Sequence, residues 1–483
     1  MAKTTARHPP AFQTLALASL GTGFATYGVS AILILYLYAP SGVGLGFSRI
    51  AATQLMAAFT AVGYLAGMAG SYAADRLVGM RAPLWIGNGI KAVGIALLAV
   101  PHGGTTALYA SLVLQTIGAG VAGQCLNALA GALYPAISPL RDAAFALLYI
   151  TANVGAAAPL VTGTIALTWG YAAGFLSAAV VLVVSLLPYV WLQKRLFESL
   201  GVRPPAPLTP AERQRLGRQV LLATLVGTAL VALSVAQRWL SAARLATGIG
   251  WLSLLLPVIA SAAMLRSPQT TVPERRRIRY FSVYLVGNSI CMMVYGQSTG
   301  ILALYAAERV RLTWGGLHLT PAAFQTIPAV LAIVFGLAMS LAWAHLGRHQ
   351  PSDGLKFGLG VLFWGLGPLF MAGPLAWFGP HTRVSPLWLV GFYVLIILGE
   401  SLTAPIGTAM ATRIAPVAFA TQMVTVYALS QAAGAGLSAL LVRWYLPGHE
   451  AAYFLGIGGL TSLYGLGLCY WHRRLEAGSL SGL

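Results

Sequence analysis

Charge is what this chain lacks most. Lys, Arg, Asp and Glu make up 8% of its 483 residues, where a soluble globular domain carries roughly 25%. That deficit excludes a water-soluble fold. Acid is scarcer than base, with ten Asp and Glu against 29 Lys and Arg and a net charge of +19. Cysteine is nearly absent. Cys125, Cys291 and Cys469 lie in separate apolar segments without ligand spacing, which argues against a disulfide framework or a cysteine metal centre and leaves them as small buried hydrophobes. Histidine is missing from the middle of every apolar segment. His102, His318, His381 and His449 fall in loops on one side, and the others at or near segment ends on the opposite side. No small-residue cleavage site follows the first apolar run, so that run is read as a retained helix.

What the chain does have is apolar length. Hydrophobic residues make up 58% of it, and stretches of about twenty such residues, enough to cross a bilayer as a helix, recur from residue 12 to residue 471. Fourteen are expected, which predicts an all-α membrane protein. Two basic segments, 193–219 and 266–279, divide it into an N-terminal six-helix bundle (1–193), basic loops with a two-helix insert (194–278) and a C-terminal six-helix bundle (279–483). The insert helices, near 219–237 and 246–265, are almost free of polar residues and read as a lipid-facing hairpin. Thr209-Pro210-Ala211-Glu212 has the pattern of a capped helix start.

With both termini in the cytoplasm, most Lys and Arg fall in loops on that side, while Arg49, Arg309, Arg311, Arg383 and Arg443 are among the few on the other. The expectation is a multi-pass protein of the cytoplasmic (inner) membrane, monomeric, with its basic loops against anionic lipid headgroups. Positive charge so distributed is not a nucleic-acid surface.

One carboxylate breaks the pattern. Glu400 sits in the run LWLVGFYVLIILGESLTAPIGTAMA, where a charge costs about 2.5–3.5 kcal/mol on insertion scales. It is the first candidate to touch a polar substrate or exchange a proton. Lys91, in WIGNGIKAVGIALL, is the other mid-segment charge. Its stem could snorkel, or its ammonium could bond a neighbour such as Asn88, and a role in proton coupling is open to it. Gln124, Asn127, Gln297 and Gln431 are polar positions that serve either interhelical bonding or substrate contact. A lone Glu and a lone Lys on distant helices make no catalytic constellation, so no enzyme, catalytic residue, metal or cofactor is expected.

The sharpest local motif is GSYAADRLVGMR, 70–81. It resembles the loop signature of the major facilitator superfamily, with Gly70, Asp75, Arg76, Gly79 and Arg81 in matching places. The resemblance implies two six-helix bundles that alternate access, with Asp75, Arg76 and Arg81 as gating residues. Further motifs narrow it. PLRDAAFALLYITANVGAAAPLVTG (139–163), IPAVLAIVFGLAMSLAWAHLGR (327–348), KFGLGVLFWGLG (356–367), VSPLWLV (384–390) and LGESLTAPIGTAMATRIAP (398–416) are similar to helices of the proton-dependent oligopeptide transporters. That family carries di- and tripeptides inward with protons, and the likeness spans the chain, including the insert.

By this resemblance Glu400 matches the acid that grips the peptide amino terminus, and Asn153 the Asn beside it. Tyr64 and Tyr27 match tyrosines of the central cavity, and Tyr427 and Ser430 an aromatic residue and a Ser of the eleventh helix. The basic half is missing. Ser19-Leu20-Gly21-Thr22-Gly23 stands where the family has Glu-x-x-Glu-Arg; Gly123 replaces a fourth-helix Lys, Gly296 a seventh-helix acid before Gln297, and Ile327 an eighth-helix Asn. Without those cations a substrate carboxylate would be buried unpaired, at high cost. The expected substrate is therefore a peptide or peptide-like small molecule that bears an amine, with Glu400 as anchor and as proton site. A conventional proton-coupled di- or tripeptide importer and an exporter of drug-like or siderophore-like metabolites are the alternatives.

Overall fold

The structure, a computed structural model, describes residues 8–134, 139–204, 207–219, 222, 225, 242–314, 316–379, 382–416 and 420–479. The chain is built of helices: α1 (Pro10–Tyr38), α2 (Arg49–Ala73), α3 (Arg81–Leu97), α4 (Gly104–Ala122), α5 (Cys125–Ala132), α6 (Pro139–Gly155), α7 (Ala158–Trp169), α8 (Tyr171–Phe197), α9 (Ala242–Arg266), α10 (Val272–Thr299), α11 (Ile301–Arg309), α12 (Ile327–Leu346), α13 (Asp353–Trp377), α14 (Leu387–Ile414), α15 (Ala420–Leu441) and α16 (Glu450–Ser479). A two-residue hairpin pairs Thr313 with His318.

Among the described residues twelve helices are long and apolar enough to cross a membrane. Helix α3 has 17 residues, about 26 Å of rise, and supplies a further expected span. The insert helix expected near 219–237 falls almost wholly outside the described residues, while its partner is α9. The chain is thus an all-α, multi-pass membrane protein. Several spans are broken. Gly123, at φ +45°, separates α4 from α5, and Gly300 separates α10 from α11. Breaks of this kind survive at membrane depth when neighbouring helices re-satisfy the freed backbone. Thr209 caps the helix that begins at Pro210: its N–H donates to Glu212 Oε2 at 2.9 Å, and the Glu212 N–H donates back to Thr209 Oγ1 at 3.3 Å.

Contacts divide the chain into two compact units: 1–26, 65–155 and 175–248 in the first, 27–64, 156–174 and 249–483 in the second. In the first, α3 and α4 touch backbone to backbone. A Cβ on Gly118 would lie 2.5 Å from Gly87 O and 2.6 Å from Lys91 N, so only glycine permits this approach. Leu15, Leu84, Leu129, Tyr189 and Phe197 form part of the core there. In the second unit α13 seats against α16 through Gly365 and Gly458, and against α14 through Gly360 and Gly399. Phe281, Trp364, Phe392 and Tyr393 lie in its core.

Candidate functional site

Glu400 is half-buried midway along α14. That helix is fixed on α13 beside the acid: a Cβ on Gly399 would stand 2.7 Å from Gly360 O. One turn on, Thr403 Oγ1 accepts from Trp364 Nε1 at 3.3 Å. The Trp364 ring in turn meets Tyr295 of α10 edge-on, with centroids 6.4 Å apart. Tyr64 of α2, Tyr295 and Cys291 all lie within electrostatic range of Glu400, and Tyr27 and Tyr393 within range of Tyr295. Tyr64 is 36% and Tyr27 40% exposed. Among the described residues no Lys, Arg or His forms an ion pair with Glu400. The second unit thus holds an acid with no ion-pair partner among the described residues, within electrostatic range of the Tyr64 and Tyr295 phenols. A carboxylate accepts hydrogen bonds from an ammonium, and tyrosine faces attract the same charge.

Tyr295 and Tyr393 were not singled out by sequence. A tyrosine inside an apolar run carries no positional signal, although Cys291 and Tyr295 are four apart on one face of α10.

The other expected site residues divide between the units. Gln297 is fully buried; its amide N–H groups donate to Ser438 Oγ at 3.0 Å and Met293 O at 3.1 Å, and its oxygen accepts from Tyr453 OH at 3.0 Å. Tyr427 donates to Asn288 Oδ1 at 3.3 Å, and Asn288 Nδ2 donates to Ser430 Oγ at 2.7 Å. These three residues of the second unit are engaged in side-chain networks that tie α10 to α15 and α16. Asn153, in the first unit, donates from Nδ2 to Tyr149 O of its own helix at 2.9 Å. Lys91, also in the first unit, donates to Thr26 Oγ1 of α1 at 2.6 Å. Asn88, the neighbour suggested by sequence, donates to Leu84 O instead.

The loop motif also lies in the first unit. Asp75 and Arg76 occupy a π-helical turn, Ala74–Val78. Gly79, at φ +79°, ends it, and the Met80 and Arg81 N–H groups both donate to Gly201 O at 2.9 Å. The Arg81 guanidinium donates to Glu198 O, and Tyr189 OH donates to Arg81 O at 2.9 Å. Among the described residues no ion pair joins Asp75 to a base.

A different ion pair stands where α1 ends and α2 begins. Within the second unit Arg49 pairs with Glu308 of α11, and its guanidinium also lies 5.8 Å from the centre of the Tyr445 ring. Close by, Thr53 crowds Gly300, leaving 2.5 Å for a Cβ, and Thr326 Oγ1 donates to Ala157 O at 3.4 Å. Within the second unit Arg49 and Thr53 of α2 thus meet Glu308 and Gly300, and Ala157 meets Thr326.

The POT family model matches residues 84–453. The chain is 31% identical to the transporter YclF of Bacillus subtilis (strain 168), over 95% of this chain and 92% of that one. It is 27% identical to a di-/tripeptide transporter of Lactococcus lactis subsp. cremoris, over 96% and 95%. Among solved structures it superposes on the peptide transporter POT in complex with sulfate at a TM-score of 0.94, with 33% identity over 98% of this chain and 96% of that one. It superposes on a POT family transporter in complex with 5-aminolevulinic acid at 0.92, with 26% identity over 97% of each.

Proposed function

The chain belongs to the POT family, and on that premise we propose that it carries amine-bearing peptides or peptide-like small molecules across the membrane by alternating access. Glu400 grips the amine. The observation that carries this is a half-buried carboxylate with no ion-pair partner among the described residues, within electrostatic range of Tyr64 and Tyr295. An ammonium supplies the counter-charge the fold withholds, at a depth where a lone charge is costly. Further support comes from relatives named as di- and tripeptide transporters and from the relative bound to 5-aminolevulinic acid, an amine-bearing molecule smaller than a peptide.

The Arg49–Glu308 pair is the gate at its end of the molecule, closed in this conformation. Opening it exchanges one ion pair for water, a modest cost for partly exposed charges. Glu400 also takes a proton when no amine is bound, so that substrate and proton compete for one site. Both termini face the cytoplasm, which is supported by the excess of Lys and Arg in loops on the terminal side.

Uptake into reconstituted vesicles tests this. With an imposed pH gradient, a labelled tripeptide with a free amine should accumulate and dissipate the gradient, and its N-acetylated form should not. Equal uptake of both would overturn the assignment of the amine to Glu400.

A further inference from the structure

Val272, Arg275, Arg276, Arg279, Tyr280 and Val283 follow one another along α10 at intervals of three, one, three, one and three. That is the spacing of a single stripe on one helical face. Ile278, Phe281 and Tyr284 face the other way, into the core of the second unit. The stripe forms one wall of an open cleft of about 670 Å³, and Leu475 of α16 stands in the other. Tyr464 of α16 donates from its hydroxyl to Val283 O at 2.8 Å, which ties the two helices at the inner end of the stripe.

The chemistry is graded along the cleft. The three guanidinium groups occupy the first two turns of α10, Tyr280 follows, and apolar Val283 and exposed Val286 continue down the helix. On α16 exposed Tyr470 and Trp471 lie about one turn from Leu475. Tyr and Trp collect at headgroup depth. The cleft therefore lies at the membrane surface on the side of the carboxyl terminus, with its cations outward and its apolar residues inward.

Those cations lack counter-charge. Among the described residues none of the three arginines forms an ion pair. Glu274, the acid nearest in sequence, is buried and accepts from the N–H and hydroxyl of Thr271. Arg275 donates to Ser267 O at 3.0 Å, and its buried Nε has no partner among the described residues. The Arg276 guanidinium lies 5.9 Å from the centre of the Tyr280 ring. Like charges on adjacent turns repel one another, and an anion between them removes that cost.

We infer that this cleft binds one anionic phospholipid of the leaflet on the terminal side. Its phosphate bridges Arg275, Arg276 and Arg279, and its glycerol and upper acyl chain lie along Tyr280, Val283 and Leu475. Guanidinium forks match phosphate oxygens in pairs. The apolar inner half favours a lipid over free phosphate, which has nothing to place against it. A second copy of the chain seated symmetrically would set two arginine stripes against each other. The site goes beyond the transport reading and does not depend on it. It also differs from a general attraction of basic loops to the membrane, which needs no cleft.

Native mass spectrometry of the purified full-length chain, titrated in detergent with phosphatidylglycerol or with phosphatidylcholine of the same acyl chains, reads the number of lipids bound and their dissociation constants. Wild type should hold one phosphatidylglycerol about a hundredfold more tightly than phosphatidylcholine, at about fivefold for each guanidinium. Arg276→Gln with Arg279→Gln, both at exposed positions, should remove most of that preference, and Arg275→Gln added to them the rest. Arg213→Gln, Arg215→Gln and Arg218→Gln together take the same charge from exposed positions in 210–219 and should leave it intact. Equal losses in the two triple variants would make the attraction diffuse and overturn the cleft. A wild type that does not distinguish the two lipids overturns it as well. Glycerol phosphate that displaces the lipid at equal concentration would make this a free-phosphate site and overturn the lipid as its occupant. A paired chain that binds no phosphatidylglycerol would give the cleft to a second copy instead.

Discussion

Glu400 and Lys91 are both charges set among apolar helices, yet their surroundings differ in kind. Lys91, in the first unit, is covered, braced by Gly118 and bonded to Thr26. Glu400, in the second, is half-buried, within electrostatic range of exposed Tyr64 and half-buried Tyr295, and has no ion-pair partner among the described residues. A charge the fold merely tolerates is given neutral donors or acceptors, as Lys91 is in part. A charge the fold presents is left for a ligand. The contrast predicts that changes at Glu400 act on function at little cost to stability, whereas changes around Lys91 act on stability.

The largest effect should come from Glu400→Gln. It keeps size and hydrogen bonding but removes the charge, and uptake of amine-bearing substrates should fall about hundredfold with the melting temperature of the unliganded protein unchanged or raised. Loss of folding instead would make Glu400 structural and erase the contrast. Next is Gly118→Val, which inserts a side chain where only 2.5 Å separates it from Gly87 O. Overpacking of this order costs about 1–3 kcal/mol. A lowered midpoint in thermal unfolding would show that the close α3–α4 contact supports the first unit.

Smaller again is the gate. Arg49→Ala removes a partly exposed pair worth about 0–1 kcal/mol, so it should shift the closed–open balance only severalfold; the charge swap Arg49→Glu with Glu308→Arg should restore it, as read by cysteine accessibility across that end. The least effect belongs to a position far from either charge. The Thr209 N–H and hydroxyl hold the exposed Glu212 carboxyl below its ordinary pKa. A depressed pKa contributes stability above the usual carboxylate range and loses it as pH falls through the lowered value. Protection factors of the amides at 210–219, with the intrinsic pH dependence of exchange divided out, should therefore fall in acid, and Glu212→Gln should flatten that dependence.

Much of the fold is legible in the sequence because bilayer length and apolar composition specify it residue by residue. The Thr209 cap is equally local. The acid was legible for the same reason, since a carboxylate in LWLVGFYVLIILGESLTAPIGTAMA has no bland explanation. Its surroundings were less so. Tyr295 comes within electrostatic range of Glu400, and of Tyr393 on the acid's own helix, only through the packing of α10 and α14, which no local pattern encodes. Lys91 shows the limit most clearly. Asn88 lies one turn away in sequence, and proximity nominates it, but its amide bonds back to Leu84, and the true partner is Thr26, on another helix. The partners of Gln297, Tyr427 and Ser430 were equally opaque, because a polar residue within an apolar run carries no sign of which side chain it meets; Ser438, Tyr453 and Asn288 are those partners.

The most direct measurement is the dissociation constant of a free-amine tripeptide and of its N-acetylated form, taken by titration calorimetry on wild type and on Glu400→Gln. The account predicts that wild type strongly prefers the free amine and that Glu400→Gln binds the two alike, both weakly. A Glu400→Gln variant that still prefers the free amine would contradict it.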